Sequence, residues 1–551
     1  MKPPRLKGRA LAFARAAAEN SATSAILREV LKASLGLDRL AALPNDTRAD
    51  IPMSTAPVAA NRPRDLPHQG LPTPAHKLWP RSHREINAAF AKKLTNPREL
   101  AERAHRVVLQ MQANRVLNVL ASEDIERTRR EANASAKRHA EGRALGPLDG
   151  VPYLVKDELD VAGHSTRIGT KCESDEKKSA DSTVVARLTE AGAVFIGKTV
   201  MTEWGMSPLG QNAHYPMPTN AHHAERCPGG SSSGSAIGVA LGVTPFSIGT
   251  DGGGSVRIPA ALNGIFSIKP TFGRVSRTGS LSGSVGHIGP LAASPADLAA
   301  VLDAIASEPD PTDALTALAV APPRGGFGAR LGAGVKKLRI GIIESEWADA
   351  DAIVSEKCRA ALTELEKNGA ELVKVSLPLA AVAAPLGYIT IGCEVLASKL
   401  HFWKNARAKM NDDLRLSFAV LAGLSSLEYL DAQRLRATLR IEAARVLSNV
   451  DVIALPTTTT TAPALPVEDR GKPFADTVAI DAMCRFNFLG NLTGLPAATA
   501  PVGVDADGLP IGLQIIGDAW DEATVLGVLA ELERSGASTV VKPKAAYDLL
   551  A

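Results

Sequence analysis

Cys227-Pro-Gly-Gly-Ser-Ser-Ser-Gly-Ser-Ala236, a short apolar passage, and then Gly249-Thr-Asp-Gly-Gly-Gly-Ser-Val-Arg-Ile-Pro259 make up the stretch on which the reading of this chain turns. Two glycine-flanked serine clusters lie on either side of an expected strand, Val243 to Ile248. Glycine has more conformational freedom to lose on folding than any other residue, so two such clusters in an apolar region call for a reason. Tight turns need one or two glycines. Gly252, Gly253 and Gly254 in a row, ending on Ser255, fit a backbone that approaches a substrate closely and turns its N–H groups on one point.

Around this stretch lie 551 residues, 45% hydrophobic and 22% charged, enough to bury a large core. A net charge of +4 is too mild for a nucleic-acid partner. The five cysteines (Cys172, Cys227, Cys358, Cys393, Cys484) are scattered without a CxxC pair. That argues against a disulfide frame or a cysteine-rich metal site and for a reducing compartment. We read no apolar run as long enough to span a bilayer and no secretory signal, and so expect a cytoplasmic protein.

The first 84 residues read as an extension. Met1 to about Gly36 is rich in Ala, Arg and Lys, and Leu11, Phe13, Ile26, Val30 and Leu31 are expected on one side of helical pieces. We expect a helical arm packed on its own protein or on a mate in a homodimer, with peripheral membrane contact left open. Pro44 to Pro80 reads as a proline-rich linker. Asn96-Pro97 predicts a capped helix start, a charged helix follows from about Ser122 to Glu141, and Tyr153 to Lys156 is an expected strand. Residues 182–197 predict a helix and a buried strand; Leu338–Ile343, Glu371–Val375, Val452–Leu455 and Ile511–Ile516 predict further strands. Helices are expected over Val354–Glu366, over Glu394–Ser448 without strands, and over Glu522–Arg534. This alternation predicts an α/β fold with a buried sheet.

A serine hydroxyl is a poor nucleophile until a base takes its proton, and lysine can be that base. Lys156 ends an apolar strand, where desolvation favours the neutral amine. Consecutive glycine amides before Ser255 can serve as donors to an oxyanion.

At these residues the sequence resembles the amidase-signature hydrolases. The likeness covers Gly229 to Ser235 and Gly249 to Ala260, continues through Lys269-Pro-Thr-Phe-Gly-Arg-Val-Ser276, and includes Leu148 to Asp157 upstream. It closes with Phe488-Leu-Gly-Asn-Leu-Thr-Gly-Leu-Pro-Ala and Gly508-Leu-Pro-Ile-Gly-Leu-Gln-Ile-Ile-Gly. The resemblance implies a central mixed β-sheet covered by helices on both faces, a catalytic domain over 85–551 and a helical insertion at about 394–448. It implies a Ser–Ser–Lys triad: Ser255 as nucleophile, Lys156 as base, and Ser231, on a cis peptide bond, as proton relay. Amides of Gly252, Gly253, Gly254 and Ser255 would form the oxyanion hole, with Asp251 and Arg257 bracing the loop. The implied reaction cleaves a carboxylic amide through an acyl-enzyme, releasing ammonia or an amine, with no cofactor and no metal. The family also contains the amidase subunit of a tRNA-dependent amidotransferase complex, as well as esterases and lactam hydrolases. The sequence departs from the family at Ser233, expected to crowd the relay loop, and at Gly252, expected to loosen the oxyanion hole or enlarge the pocket.

Other readings of the same residues are weaker. Gly230 to Gly234 also satisfies the nucleophile-elbow pattern, which needs a preceding strand and a histidine such as His287 or His401. His222, His223 and Cys227 lack a fourth metal ligand nearby. Trp204, Met206 and the aromatic helical insertion point to a hydrophobic acyl or aryl group on a small-molecule amide.

Overall fold

The structure, a computed structural model, describes residues 5–20, 23–49, 56–60, 69, 79–114, 117–280, 283–538 and 540–551. In chain order the described strands are β1 (Leu6–Lys7), β2 (Leu120–Ser122), β3 (Pro152–Lys156), β4 (Val194–Thr199), β5 (Phe246–Asp251), β6 (Phe266–Lys269) and β7 (His287–Ala292). They continue as β8 (Arg339–Ile342), β9 (Glu371–Lys374), β10 (Val452–Pro456), β11 (Phe474–Ala475), β12 (Ala497–Val504) and β13 (Pro510–Gly517). Eleven of them form one mixed sheet in the order β2-β4-β3-β5-β7-β6-β12-β13-β10-β8-β9. The expected α/β architecture, a large central mixed sheet flanked by helices, is the one the chain forms.

The centre of the sheet positions the site. β3 lies parallel to β4 on one side and to β5 on the other. Parallel neighbours need crossover connections, here through helices Thr183–Glu190 and Ser233–Ala240. Because β3 and β5 run the same way, their carboxyl ends emerge together, where open α/β sheets place ligands. Lys156 ends β3 and Asp251 ends β5.

β5 corrects the expected strand Val243–Ile248. Gly242, in the left-handed region at φ +78°, makes a turn, and Val243 N–H bonds back to Gly238 O. Pro245, with no N–H to give a ladder, delays pairing further, and the strand runs from Phe246 through Asp251. The glycine loop therefore leaves directly from the sheet. Strands β6, β7 and β12 are additions to the sequence reading. They are short, rich in Ser, Gly, Ala or Pro, and almost wholly buried, so they carry no polar alternation.

Asn96 caps helix Pro97–Ala113 by accepting from Glu99 N–H at 3.0 Å, and Glu522–Arg534 closes the chain's helices, both as expected. The strand-free helical region opens earlier than Glu394, at Ala383. Its helices are Ala383–Ser398, Leu400–Asn405, Asp412–Leu421 and Ser426–Leu447. Within it Pro378–Ser398 is long and apolar enough, by length and composition, to cross a membrane, which corrects the reading that no such run exists. Most of that stretch is buried against its own protein.

The arm forms helices Gly8–Glu19 and Ser24–Ser34. Its apolar stripe differs from the expected one. Leu11, Ala14 and Ala18 are buried against Leu416 and Ala419, whereas Phe13 and Ile26 are 77% and 76% exposed. Small alanines at i, i+3 and i+7 let the helices approach, and the large residues lie off that line. Arg415 grips Glu19 with two bonds of 2.9 and 2.8 Å, Lys32 meets Glu428 at 3.0 Å, and β1 pairs antiparallel with β11. Residues 44–80 lie largely outside the described set. Within it, Ala60 N–H donates to Asp518, and Gln69 exchanges backbone bonds with Ala329 and Gly332, as a draped segment would.

Candidate active site

Lys156 is fully buried at the end of β3. Its Nζ lies 2.7 Å from Ser231 Oγ, 2.5 Å from Thr250 Oγ1 and 3.2 Å from Glu158 Oε2. Burial pushes the Lys156 ammonium down from the ordinary lysine range, with Glu158 and Asp251 partly offsetting the effect. Ser231 follows a cis peptide bond from Gly230. Its neighbours in the serine cluster turn elsewhere: Ser232 Oγ donates to Thr250 O, Ser233 Oγ to Gly229 O, and Ser235 Oγ to Ile248 O. Ser231 is therefore the serine of that cluster whose hydroxyl meets the lysine. Ser233 does not crowd the loop. It opens the crossover helix and ties its first turn back.

Ser255 is half-buried and shares a recess of about 60 Å³ with Ser231, Gly252, Thr250 and Glu158. The loop carrying it is braced as the sequence suggested. Arg257 grips Asp251 with two bonds of 2.9 Å, both side chains being fully buried. Burial alone would raise the Asp251 carboxyl, but the Arg257 guanidinium holds it well below the usual carboxylate range. Asn491 and Gln514 complete the brace: Asn491 Nδ2 donates to Asp251, and both side-chain oxygens accept from Arg257 at 2.5 Å. These two residues lie in the closing segments of the family likeness, and their contact with the loop explains why those distant segments resemble the family at all.

One expectation for the oxyanion hole needs correction. Gly254 N–H donates to Asp251 Oδ1 at 2.7 Å and so is committed to the brace. Gly254 holds φ +115°, and a Cβ there would sit 2.6 Å from Ile258 and 2.8 Å from Asn487, so only glycine fits. Among the described residues the Gly252, Gly253 and Ser255 amides have no partner. Gly252 does not open the loop either, since a Cβ would meet Ile391 Cδ1 at 2.6 Å. The missing side chain makes room for that isoleucine.

Trp204 and Met206 lie on two different walls. Trp204 is buried, held at φ +46° and stacked on Phe418 with ring centroids 5.9 Å apart, and it lines the small recess. Met206 faces a second, apolar cavity of about 350 Å³, lined also by Leu31, Ile391, Leu416, Leu421 and Phe488, that reaches Ser255 and Gly253. The nucleophile stands where the two spaces meet. Sequence reasoning missed Glu158 and Thr250 beside the lysine. Both lay inside or beside quoted motifs, and the signal was their place at the carboxyl ends of adjacent parallel strands.

The rival readings are not assembled. No described strand leads into Ser232, and His287 Nδ1 bonds Val285 O while His401 is exposed beside Asn405. His222 is engaged by Asn263 O, and Lys269 Nζ bonds Leu495 O at 2.6 Å. Among the described residues no three metal-ligating side chains cluster.

A family model described as amidase matches residues 106–526. The chain is an amidase-signature hydrolase. This amidase is 36% identical over 495 residues to fatty acid amide hydrolase of Arabidopsis thaliana, covering 87% of this chain and 80% of that one. It is also 36% identical, over 425 residues, to the A-type component of glutamyl-tRNA(Gln) amidotransferase from Chloroflexus aggregans, covering 72% and 85%. Native peptide amidase from Stenotrophomonas maltophilia superposes with a TM-score of 0.68 at 26% identity, over 84% of this chain and 98% of that one. The amidase is an amide-hydrolysing enzyme.

Proposed function

We propose that this amidase hydrolyses amides of long apolar carboxylic acids through an acyl-Ser255 intermediate. The observation that carries the substrate class is the apolar cavity of about 350 Å³ ending at Ser255. Burying a methylene contributes about 0.8 kcal/mol, so an alkyl chain of several carbons is held firmly there. The polar recess on the other side of Ser255 takes the departing amine, and its small volume favours ammonia or a short amine.

In the mechanism, neutral Lys156 takes the proton of Ser231 as Ser231 takes that of Ser255. Ser255 Oγ attacks the carbonyl carbon, and the Gly252, Gly253 and Ser255 amides receive the oxyanion. The proton returns through Ser231 to the nitrogen as the C–N bond breaks. Water repeats the sequence on the ester and releases the acid. The likeness to a tRNA-dependent amidotransferase component favours a second reading, work inside a complex; hydrolysis by the purified chain alone argues against it.

Intact-protein mass after fluorophosphonate treatment tests the nucleophile. One adduct on the wild type and none on Ser255→Ala is expected, followed by hydrolysis that improves with acyl length. Labelling that persists in Ser255→Ala would move the nucleophile elsewhere. Faster cleavage of short polar amides than of long ones would refute the substrate class.

A further inference from the structure

A lysine that acts as a base must keep its lone pair on its proton donor, and a side chain of four methylenes does not ensure that by itself. Glu158 stands just past the end of β3, its side chain 13% exposed and its Oε2 3.2 Å from Lys156 Nζ. Thr250, next to last in β5, donates its hydroxyl to the same Oε2 at 2.5 Å. A threonine hydroxyl has a single proton. With that proton on Glu158, Thr250 Oγ1 is an acceptor toward Lys156 Nζ. A neutral amine carries two N–H bonds and one lone pair. Thr250 Oγ1 and Glu158 Oε2 take the two N–H bonds, and the remaining tetrahedral direction faces Ser231 Oγ at 2.7 Å.

We propose that Glu158 is a positioning residue for amide hydrolysis: with Thr250 it occupies both N–H bonds of Lys156, so that the lone pair meets Ser231 and the exchangeable proton travels on that line alone. This rests on Lys156 being the base. During the reaction the Ser231 proton forms the third N–H bond of Lys156 and later returns along the same path, while Glu158 neither gains nor loses a proton. The other charges around the amine are already matched. Asp251 on β5 faces Arg257, and Lys198 on β4 pairs with Asp157 at 2.7 Å. Glu158 is left as the carboxylate that balances the Lys156 ammonium. Its negative charge favours the protonated amine, against the larger effect of burial.

The test is the pH dependence of kcat and kcat/KM on a short amide for wild type, Glu158→Gln, Glu158→Asp and Lys156→Ala, with thermal unfolding of each. Without the carboxylate charge the amine holds its proton less firmly, so the acidic limb of the Glu158→Gln profile moves to lower pH, by about one unit. Its kcat falls about tenfold with KM nearly unchanged, because only the orientation of the base is lost. Glu158→Asp keeps the charge, so its limb stays near the wild type and part of kcat returns. A Glu158→Gln profile superimposed on the wild type, while Lys156→Ala is inactive, would overturn the role of Glu158 and leave the base assignment standing. Full activity in Lys156→Ala would remove both. Where Glu158→Gln does not fold, Thr250→Val and Thr250→Ser decide. Loss of kcat in the first with recovery in the second supports the orientation, and equal activity of the two overturns it.

Discussion

Arg257 and Asp251 do no chemistry in this site, yet the loop depends on them. Both are fully buried, and the carboxylate also receives Gly254 N–H and Val256 N–H. Asp251→Asn leaves a buried guanidinium without its counter-charge, so a loss of about 3–5 kcal/mol is expected in denaturant unfolding at neutral pH. The sign with pH follows from the depressed carboxyl. Its stabilisation is fully present above the unfolded carboxyl value, about 3.9, and is lost as pH falls toward the lower folded one. The stability gap between wild type and Asp251→Asn should therefore hold constant from neutral pH down to about pH 4 and narrow below it. A gap that shrinks already near neutrality would contradict the assignment of this pair as the source.

Among the elements, the two arm helices and the Asp412–Leu421 helix supply walls of the apolar cavity. Leu31→Glu places a carboxylate in that wall, and burying a charge beside an alkyl chain without a partner is costly. Hydrolysis of a long-chain amide should fall about tenfold or more in kcat/KM, with cleavage of a short amide little changed. Equal losses on both would mean that the arm acts through the fold and not through the chain. Elements with strong local signals were legible in the sequence. Asn96-Pro97 announced its helix, Val452–Leu455 its strand, and the serine and glycine clusters the loops of the site. Strands such as His287–Ala292 and Ala497–Val504 were not, because a strand buried on both faces shows no alternation and Ala, Gly and Pro give it no β signature. The pairing of Lys156 with Ser231 was legible only through family likeness. Glu158 was hidden because its meaning arises from Thr250, which lies 92 residues further along the chain.

On the scale of the whole molecule, residues 106–526 carry the family likeness, while the arm lies before it and still reaches the cavity. A chain beginning at Ser82 keeps Lys156, Ser231 and Ser255 on their own strands and loops. It should still cleave short amides, lose its preference for long acyl chains, and bind an apolar fluorescent dye more strongly where Leu416 and Ala419 are uncovered. Unchanged chain-length preference in that truncation would show that the arm is not a wall of the working cavity.

The pairing of Leu6–Lys7 with Phe474–Ala475 also sets an order in time. The ribosome delivers the arm first, but its strand partner and the helix that holds Leu11 and Ala18 come hundreds of residues later. At about 5–20 residues per second, the arm waits many seconds with its apolar stripe uncovered. The last wall of the acyl cavity is thus built from the first residues made, and the newborn enzyme has its catalytic loops in hand before it has the means to choose among substrates.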